Sequence, residues 1–262
     1  MTSLVKLNNV YKEYKTGLIN HQSLQKDFQS FIYKLRGLED PNSAISENYK
    51  KSGSSESHLS LNNINLELFE NTRLGLIGKN GSGKSTLLKV ISRVTIPSSG
   101  EIEINGKVSS LLEVGVGFHP ELTGRENIYL SGSIAGLKKK IIDNYVDEII
   151  NFAEIKKYID TPVKRYSSGM MVKLGFSIST IFSSDILLVD EVLAVGDKDF
   201  RKKAINKMFE ISENKNKLII FVSHNMDLIK MFCNKCILLK DGKLDFYGDT
   251  QAAIDKYNDL EI

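Results

Sequence analysis

The chain has 262 residues, 41% of them hydrophobic and 26% charged, with a formal net charge of +3. That length suits one large domain, or one domain with a small appendage, of ordinary globular composition. The near-neutral charge gives no support to nucleic-acid binding. No apolar run approaches the roughly 20 residues that span a bilayer. The opening MTSLVKLNNVYKEYK lacks the long apolar core of a secretory signal, so the chain is expected in the cytoplasm.

LVKLNNVYKEY alternates weakly and predicts a first strand with a polar edge. In residues 22–36, Leu24, Phe28, Phe31, Ile32 and Leu35 recur at helical spacing, with Lys26, Lys34 and Arg36 beside the stripe. Packing against protein is favoured over lying at a lipid surface. EDPNSAISENYKKSGSSES reads as a flexible linker, which makes residues 17–58 an insertion. LNNINLELF predicts a strand of an antiparallel sheet, RLGLIG a short buried strand, KSTLLKVISRV a helix, and SGEIEINGKVSSLLEVG a hairpin.

Residues 122–158 are predominantly helical, with Leu122, Ile128, Leu130, Ile134, Leu137, Ile141, Ile142, Val146, Ile149, Ile150 and Phe152 as packing positions. SSGMMVKLGFSISTIF predicts a further helix, so 122–182 form a helical subdomain. ILLVDE, LIIFVSH and CILLKDGKL predict three more strands, and GDTQAAIDKYNDL a short terminal helix. Apolar strands alternating with helices imply a parallel sheet covered on both faces, hence an α/β fold with a small antiparallel sheet and a helical insertion. The CxxC of Cys233 and Cys236 stands alone, and its thiols are expected to pack as small hydrophobes.

Gly78-Lys79-Asn80-Gly81-Ser82-Gly83-Lys84-Ser85, followed by Thr86, satisfies GxxxxGK[ST] between a predicted strand and a predicted helix. The glycines let backbone N–H groups curl around an anion, and the helix N-terminus and Lys84 add positive charge. The Ser85 hydroxyl is suited to Mg²⁺. The loop is therefore expected to hold a nucleoside triphosphate. ILLVDE puts Asp190 at the C-terminal edge of a parallel strand, where such sheets bind ligands. Asp190 would support the metal, and Glu191 would orient and deprotonate an attacking water. His224 ends LIIFVSH and would fall on the same edge, near the γ-phosphate.

With these residues in view, the chain resembles the ABC ATPases. Tyr166 to Met170, YSSGM, looks like a variant of that family's LSGGQ signature: Ser167 and Gly169 match, while Ser168 and Met170 replace a glycine and the glutamine. LLEVGVGFHPELTGRENIYLSG, YSSGMMVKLGFSIST and DILLVDEVLAVGDKDF resemble the ATPase subunits of bacterial exporters of O-antigen, capsule or teichoic acid.

The resemblance implies a single nucleotide-binding domain over 1–262, and a homodimer that sandwiches two ATP molecules head to tail. The phosphate loop of one copy would face Ser167, Ser168 and Gly169 of the other. Lys84 and Ser85 would hold phosphate and metal, Asp190 would serve the metal, Glu191 the water, and His224 the γ-phosphate. Asp197 would lie in the loop that crosses between copies. Tyr14, rather than Tyr11, would stack on adenine. The usual glutamine metal ligand before GFHPELTG is absent, and Glu113 is the nearest candidate.

A polytopic permease would be the partner, with lipid-linked glycan met indirectly and the ATPase peripheral on the cytoplasmic side of the membrane. The chain leaves no room for a C-terminal glycan-recognition domain, so glycan choice would rest elsewhere. Competing expectations are an ABC ATPase for another cargo, or a soluble one acting on nucleic acid or ribosomes. A GTPase is disfavoured because the relevant strand ends in VSHN and not in an NKxD motif.

Overall fold

The computed structural model describes residues 2–15, 57–111, 117–182, 184–190, 197–213 and 216–260. The chain divides into two units, Met1–Lys12 with Ser60–Ile262, and Glu13–Leu59. The helix predicted over 22–36 and its linker lie outside the described residues, as do Glu113 and Glu191.

The first sheet has the order β2 (Ser57–Phe69), β1 (Ser3–Lys15), β4 (Ser99–Ile104). β1 is thus its central strand, not the polar edge its sequence suggested. The asparagines behind that expectation sit at a bulge. The β1–β4 register slips between Asn8 and Tyr11, and Asn9 takes φ 48° while donating its N–H to Asn65 Oδ1 at 2.9 Å. Elsewhere β1 turns Val5, Leu7 and Val10 fully inward.

The second sheet has the order β5 (Val108–Ser110), β6 (Ile186–Asp190), β7 (Leu218–Val222), β3 (Arg73–Ile77), β8 (Lys235–Lys240), β9 (Lys243–Gly248). Its first five strands are parallel and β9 is antiparallel to β8. Two expectations change here. SGEIEINGKVSS is no hairpin, because β4 pairs with β1 in one sheet and β5 with β6 in the other. Alternation identifies a strand but not its partner. Gly106 turns the chain between the sheets at φ 144°, and Asp185 Oδ2 accepts the Lys107 N–H at 2.7 Å. CILLKDGKL is two strands, joined where Asp241 (φ 49°) and Gly242 (φ 74°) both adopt positive φ, the geometry of a tight hairpin.

Alternate side chains of the larger sheet enter different cores. Leu74 and Leu76, Ile186 and Leu188, Ile220 and Val222 pack toward β1, β2 and helix α1 (Lys84–Ile91). Leu187 and Val189, Ile219 and Phe221, Cys236 and Leu238 pack on the opposite face. That face is covered by α6 (Lys198–Ser212), α7 (Met226–Phe232) and α8 (Thr250–Asp259). Both faces are buried, which is why these strands read as unbroken apolar runs. Burial also raises both thiols, Cys236 to about 12 and Cys233 further, so they pack as apolar groups.

A third core joins α2 (Gly124–Ile134), α3 (Lys139–Asp143), α4 (Val146–Ala153) and α5 (Ser168–Ile181). Of the expected packing positions, Ile128, Ile142, Val146, Ile149 and Ile150 are buried, whereas Ile134 and Ile141 are 73% and 42% exposed. The helical stretch is broken at Gly136 (φ 74°) and at Glu154 (φ 60°), so one helical phase does not persist along it. Among the described residues no helix is long and apolar enough to cross a membrane.

Two polar residues fix the junctions of this layer. Asn127 is wholly buried: its Oδ1 accepts the His119 N–H at 2.7 Å, and its Nδ2 reaches the carbonyls of His119, Leu122 and Thr123 at 3.2, 3.1 and 2.9 Å. It therefore clamps the GFHPELTG turn onto α2, whose start carries a Thr123–Glu126 capping box. Asn127→Leu strands a buried donor and several carbonyls. It is expected to lower unfolding free energy by about 3 kcal/mol, read from the urea midpoint.

Asp197 caps α6, with Oδ1 accepting the Phe200 N–H at 2.9 Å and Oδ2 2.6 Å from Lys173 Nζ. The lysine, then the amide, hold its carboxyl at about 2 against an ordinary 3.8. A depressed value means the stabilisation is complete above pH 3.8 and lost as pH falls toward 2. Thermal midpoints of native protein and Asp197→Asn are expected to differ near neutrality and to converge over that interval.

Candidate functional site

Three parallel strands bring the site together. Leu76 on β3 stands opposite Val222 on β7, and Val222 stands opposite Asp190 on β6. Their C-terminal ends therefore share one edge. Two interstrand spacings, about 10 Å in all, separate the backbone of Asp190 from that of β3. The phosphate loop leaves this edge from β3, and His224 follows Ser223 just beyond β7. His224 is exposed and Asp190 half-buried. The sequence-predicted Asp190 and His224 thus lie at neighbouring strand ends, and the loop that leaves the next strand leads to Lys84 and Ser85 at the start of α1.

The loop is shaped by its glycines. Gly78 (φ 149°) would drive a Cβ into the Leu239 carbonyl oxygen, and Gly83 (φ 104°) would bring one to 2.5 Å from that of Ser60. Only glycine fits both the torsion and the close backbone at these positions. Gly83 is also the N-cap of α1, with no side-chain cap and no acidic residue in the first turn. The first amides of a helix have no partner within it, so α1 offers uncapped donors and its positive dipole end to an anion.

Lys84 is 8% exposed, and its Nζ donates to the carbonyls of Gly78 at 2.7 Å and Lys79 at 3.0 Å. Its charge thus lies inside the curl of the loop. Ser82 Oγ is buried and has no hydrogen-bond partner among the described residues. An orphaned hydroxyl, uncapped amides and an enclosed ammonium fit a phosphate group. Asn80, Gly81 and Ser85 are exposed, and Thr86 is half-buried. Among the described residues there is no cluster of three His, Cys, Asp or Glu able to hold a metal. A divalent ion here would take Ser85, Asp190, phosphate oxygens and water, as Mg²⁺ prefers.

Several supports were not legible in the motif. Gly242, in the β8–β9 turn, donates its N–H to the Ser82 carbonyl at 3.1 Å and accepts from Asn62 N at 2.8 Å. Lys79 Nζ donates to the Leu260 carbonyl at 2.9 Å, tying the loop to the end of α8. The DG dipeptide marks a turn, but nothing in the sequence says what that turn touches.

The signature stretch lies elsewhere. Ser167 is the N-cap of α5, its Oγ accepting the Met170 N–H at 3.2 Å, and no acidic residue stands in that first turn either. Ser167 and Ser168 are exposed, and a Cβ on Gly169 would meet nothing closer than Ser167 Oγ at 3.9 Å. Ser167, Ser168, Gly169 and Asp197 line one surface hollow of about 640 Å³. Asn80, Gly81 and Ser82 line another, of about 200 Å³, which shares none of those residues. One chain therefore presents two anion-ready helix ends at different places. Tyr14 lies in the smaller unit and is 39% exposed. Glu113 and Glu191 remain outside the described residues.

Comparison with known proteins agrees with this geometry. The family profile described as ABC transporter matches residues 61–194. A teichoic acids export ATP-binding protein of Staphylococcus haemolyticus is 38% identical over 98% of this chain and 89% of its own length. An O-antigen export system ATP-binding protein of Klebsiella pneumoniae is 42% identical over 76% of this chain and 81% of its own. A teichoic acids export protein of Bacillus anthracis is 40% identical over 89% of this chain, which spans only 42% of that relative's length. In fold, the chain is similar to a dimeric ATP-binding cassette bound to ADP and phosphate, with TM-score 0.69 and 20% identity over 94% of this chain and 99% of that one. It is also similar to an ATP-binding subunit of an ABC transporter, with TM-score 0.72 and 17% identity over 97% and 93%. The profile match and the two relatives covered over most of their own length make the chain a member of the ABC transporter family.

Proposed function

We propose that the chain is the ATP-hydrolysing subunit of a membrane exporter that moves a lipid-linked polysaccharide, of the O-antigen, capsule or teichoic acid class, across the cytoplasmic membrane. The observation that carries this reading is the shared strand edge, from which the Lys84 loop and Asp190 emerge on either side of β7. The names of the export relatives supply the cargo class. The subunit would sit peripherally on the cytoplasmic face against a polytopic permease.

The chain's own residues divide the work. The amides of the α1 start and the Lys84 ammonium hold the β- and γ-phosphates, and Ser82 Oγ gains the partner it lacks. Ser85 and Asp190 hold Mg²⁺, which when bound neutralises charge developing on the phosphoryl oxygens. Glu191 accepts a proton from the attacking water, and His224 steadies the γ-phosphate. Tyr14 stacks on adenine, and Glu113 takes the place of the missing glutamine.

One chain's phosphate loop leaves its substrate open on the far side. The N-terminus of α5 at Ser167–Gly169, with no acidic residue in its first turn, is suited to close the site of a second copy. ATP then joins two copies head to tail, hydrolysis releases them, and the permease follows to the extent that its two states differ in affinity for the closed and open dimer.

Co-purification with the neighbouring permease followed by ATPase assay tests this. Glu191→Gln is expected to abolish turnover and to accumulate an ATP-bound dimer on size-exclusion chromatography. Lys84→Ala is expected to lose binding of a fluorescent ATP analogue. Activity that needs RNA or DNA and no permease would overturn the exporter reading.

A further inference from the structure

Lys173 lies on α5, six residues after the signature serine Ser167, and only 15% of its side chain is exposed. Its Nζ reaches Asp197 Oδ2 at 2.6 Å and Glu154 Oε2 at 3.4 Å, and stands 5.1 Å from the centre of the Phe200 ring. Glu154 closes α4 in a left-handed conformation (φ 60°), and its other oxygen, Oε1, takes Lys203 of α6 at 3.1 Å. Lys203 Nζ also donates to the Phe152 carbonyl at 3.0 Å and lies 4.8 Å from the centre of that residue's ring. Beneath these charges the rings of Phe152, Phe176 and Phe200, one from each of α4, α5 and α6, meet pairwise at centroid distances of 5.8 to 6.1 Å.

The carboxylates of this network are half or more exposed, so solvent screens the pairs and they contribute little to stability. Their effect is geometric. Asp197 is the residue from which α6 starts, and Lys173 holds it to the helix that begins at the signature. The Lys173 ammonium has an aromatic face on one side and two carboxylates on the other, which leaves it one orientation.

We infer that Lys173 is a positioning residue: it ties the start of α6 at Asp197 to the signature helix, so that engagement of Ser167–Gly169 by a partner copy's ATP is transmitted to Asp197 and the first turn of α6. This rests on the ATPase reading above. Lys173, on a helix of 14 residues, fixes the point at which α6 begins. Glu154 braces the same lysine from the helical layer. Lys173 lines the wall of the Ser167–Asp197 hollow with its ammonium turned to Asp197, and it is absent from the hollow at the phosphate loop; its effect is carried by Asp197.

The test compares native protein, Lys173→Met, Lys173→Arg and Asp197→Asn in the same permease complex, each checked for a single cooperative thermal transition that lies above the assay temperature. Lys173→Met keeps an unbranched side chain, one atom shorter, and removes the ammonium with its ion pairs. It is expected to lower kcat by about 10- to 100-fold, the scale of a misplaced catalytic group, with KM changed less than about threefold. Lys173→Arg is expected to restore most of the rate, and Lys173→Met combined with Asp197→Asn to be no slower than the worse single variant.

If native protein turns over ATP and folded Lys173→Met retains kcat within about twofold, the tie does not position the machinery and the inference falls. A raised KM at unchanged kcat overturns it too, since Lys173 would then serve binding. If Lys173→Met fails to fold, Asp197→Asn decides by the same criteria. Absence of ATPase activity in the native complex is the separate failure of the functional reading.

Discussion

Asp190 stands opposite Val222 and Val222 opposite Leu76, and this parallel register across β6, β7 and β3 sets everything at the site. A one-residue slip in either ladder would turn Leu187 and Val189 toward the wrong core and carry Asp190 to the other face. The two apolar layers on either side of the sheet thus protect the chemistry at its edge. Burial of Ile186 to Val189 on both faces leaves the strand one way to lie, and that way puts the carboxylate beside the phosphate loop.

A second constraint is electrostatic. Among the described helices of more than five residues, α1 and α5 begin with no acidic residue at the N-cap or in the first turn, whereas α2, α4, α6 and α7 carry one in the first turn and α8 has Asp249 as its cap. An acidic residue in the first turn would satisfy the helix dipole and repel phosphate. Leaving two ends without one forgoes some helix stability and keeps two anion sites available. They line separate hollows of the same chain. The head-to-tail pairing proposed above would give both ends a use at once.

Much of this was legible in the sequence, and the reasons for the rest are specific. GKNGSGKS identified its loop because spacing, glycine torsions and charge all act locally. The apolar runs before Asp190 and His224 announced buried strands for the same reason. The hairpin expected in SGEIEINGKVSS failed because Gly106 sends the next strand to a different sheet, and alternation is silent about partners. Ile141 was expected to be buried because a single helical phase was extended past Gly136, whereas Ile134 is the last residue of α2 and stands exposed before that break. Asn127, Glu154 and Lys173 carried no signal, since a buried amide and a braced lysine differ from solvated ones only in their tertiary surroundings. Lys79 and Gly242 fall in the same class, as their partners lie 181 and 160 positions away.

The phosphate loop is held from three directions before any ligand arrives. Lys84 bonds two carbonyls of the loop, Gly242 bonds Ser82, and Lys79 reaches Leu260. Such a loop surrenders little conformational entropy on binding, so more of the interaction with phosphate appears as affinity. Preorganisation alone, however, would favour triphosphate and product alike, and a ligand with equal affinity for two states shifts neither. The discrimination that drives a transport cycle must therefore come from contacts that only the γ-phosphate reaches. On the proposed reading those would be the edge groups Asp190 and His224 within this chain, and beyond it the start of α5 on a second copy. A rigid cradle on one side and a separable cap on the other would then let hydrolysis of a single bond open an interface.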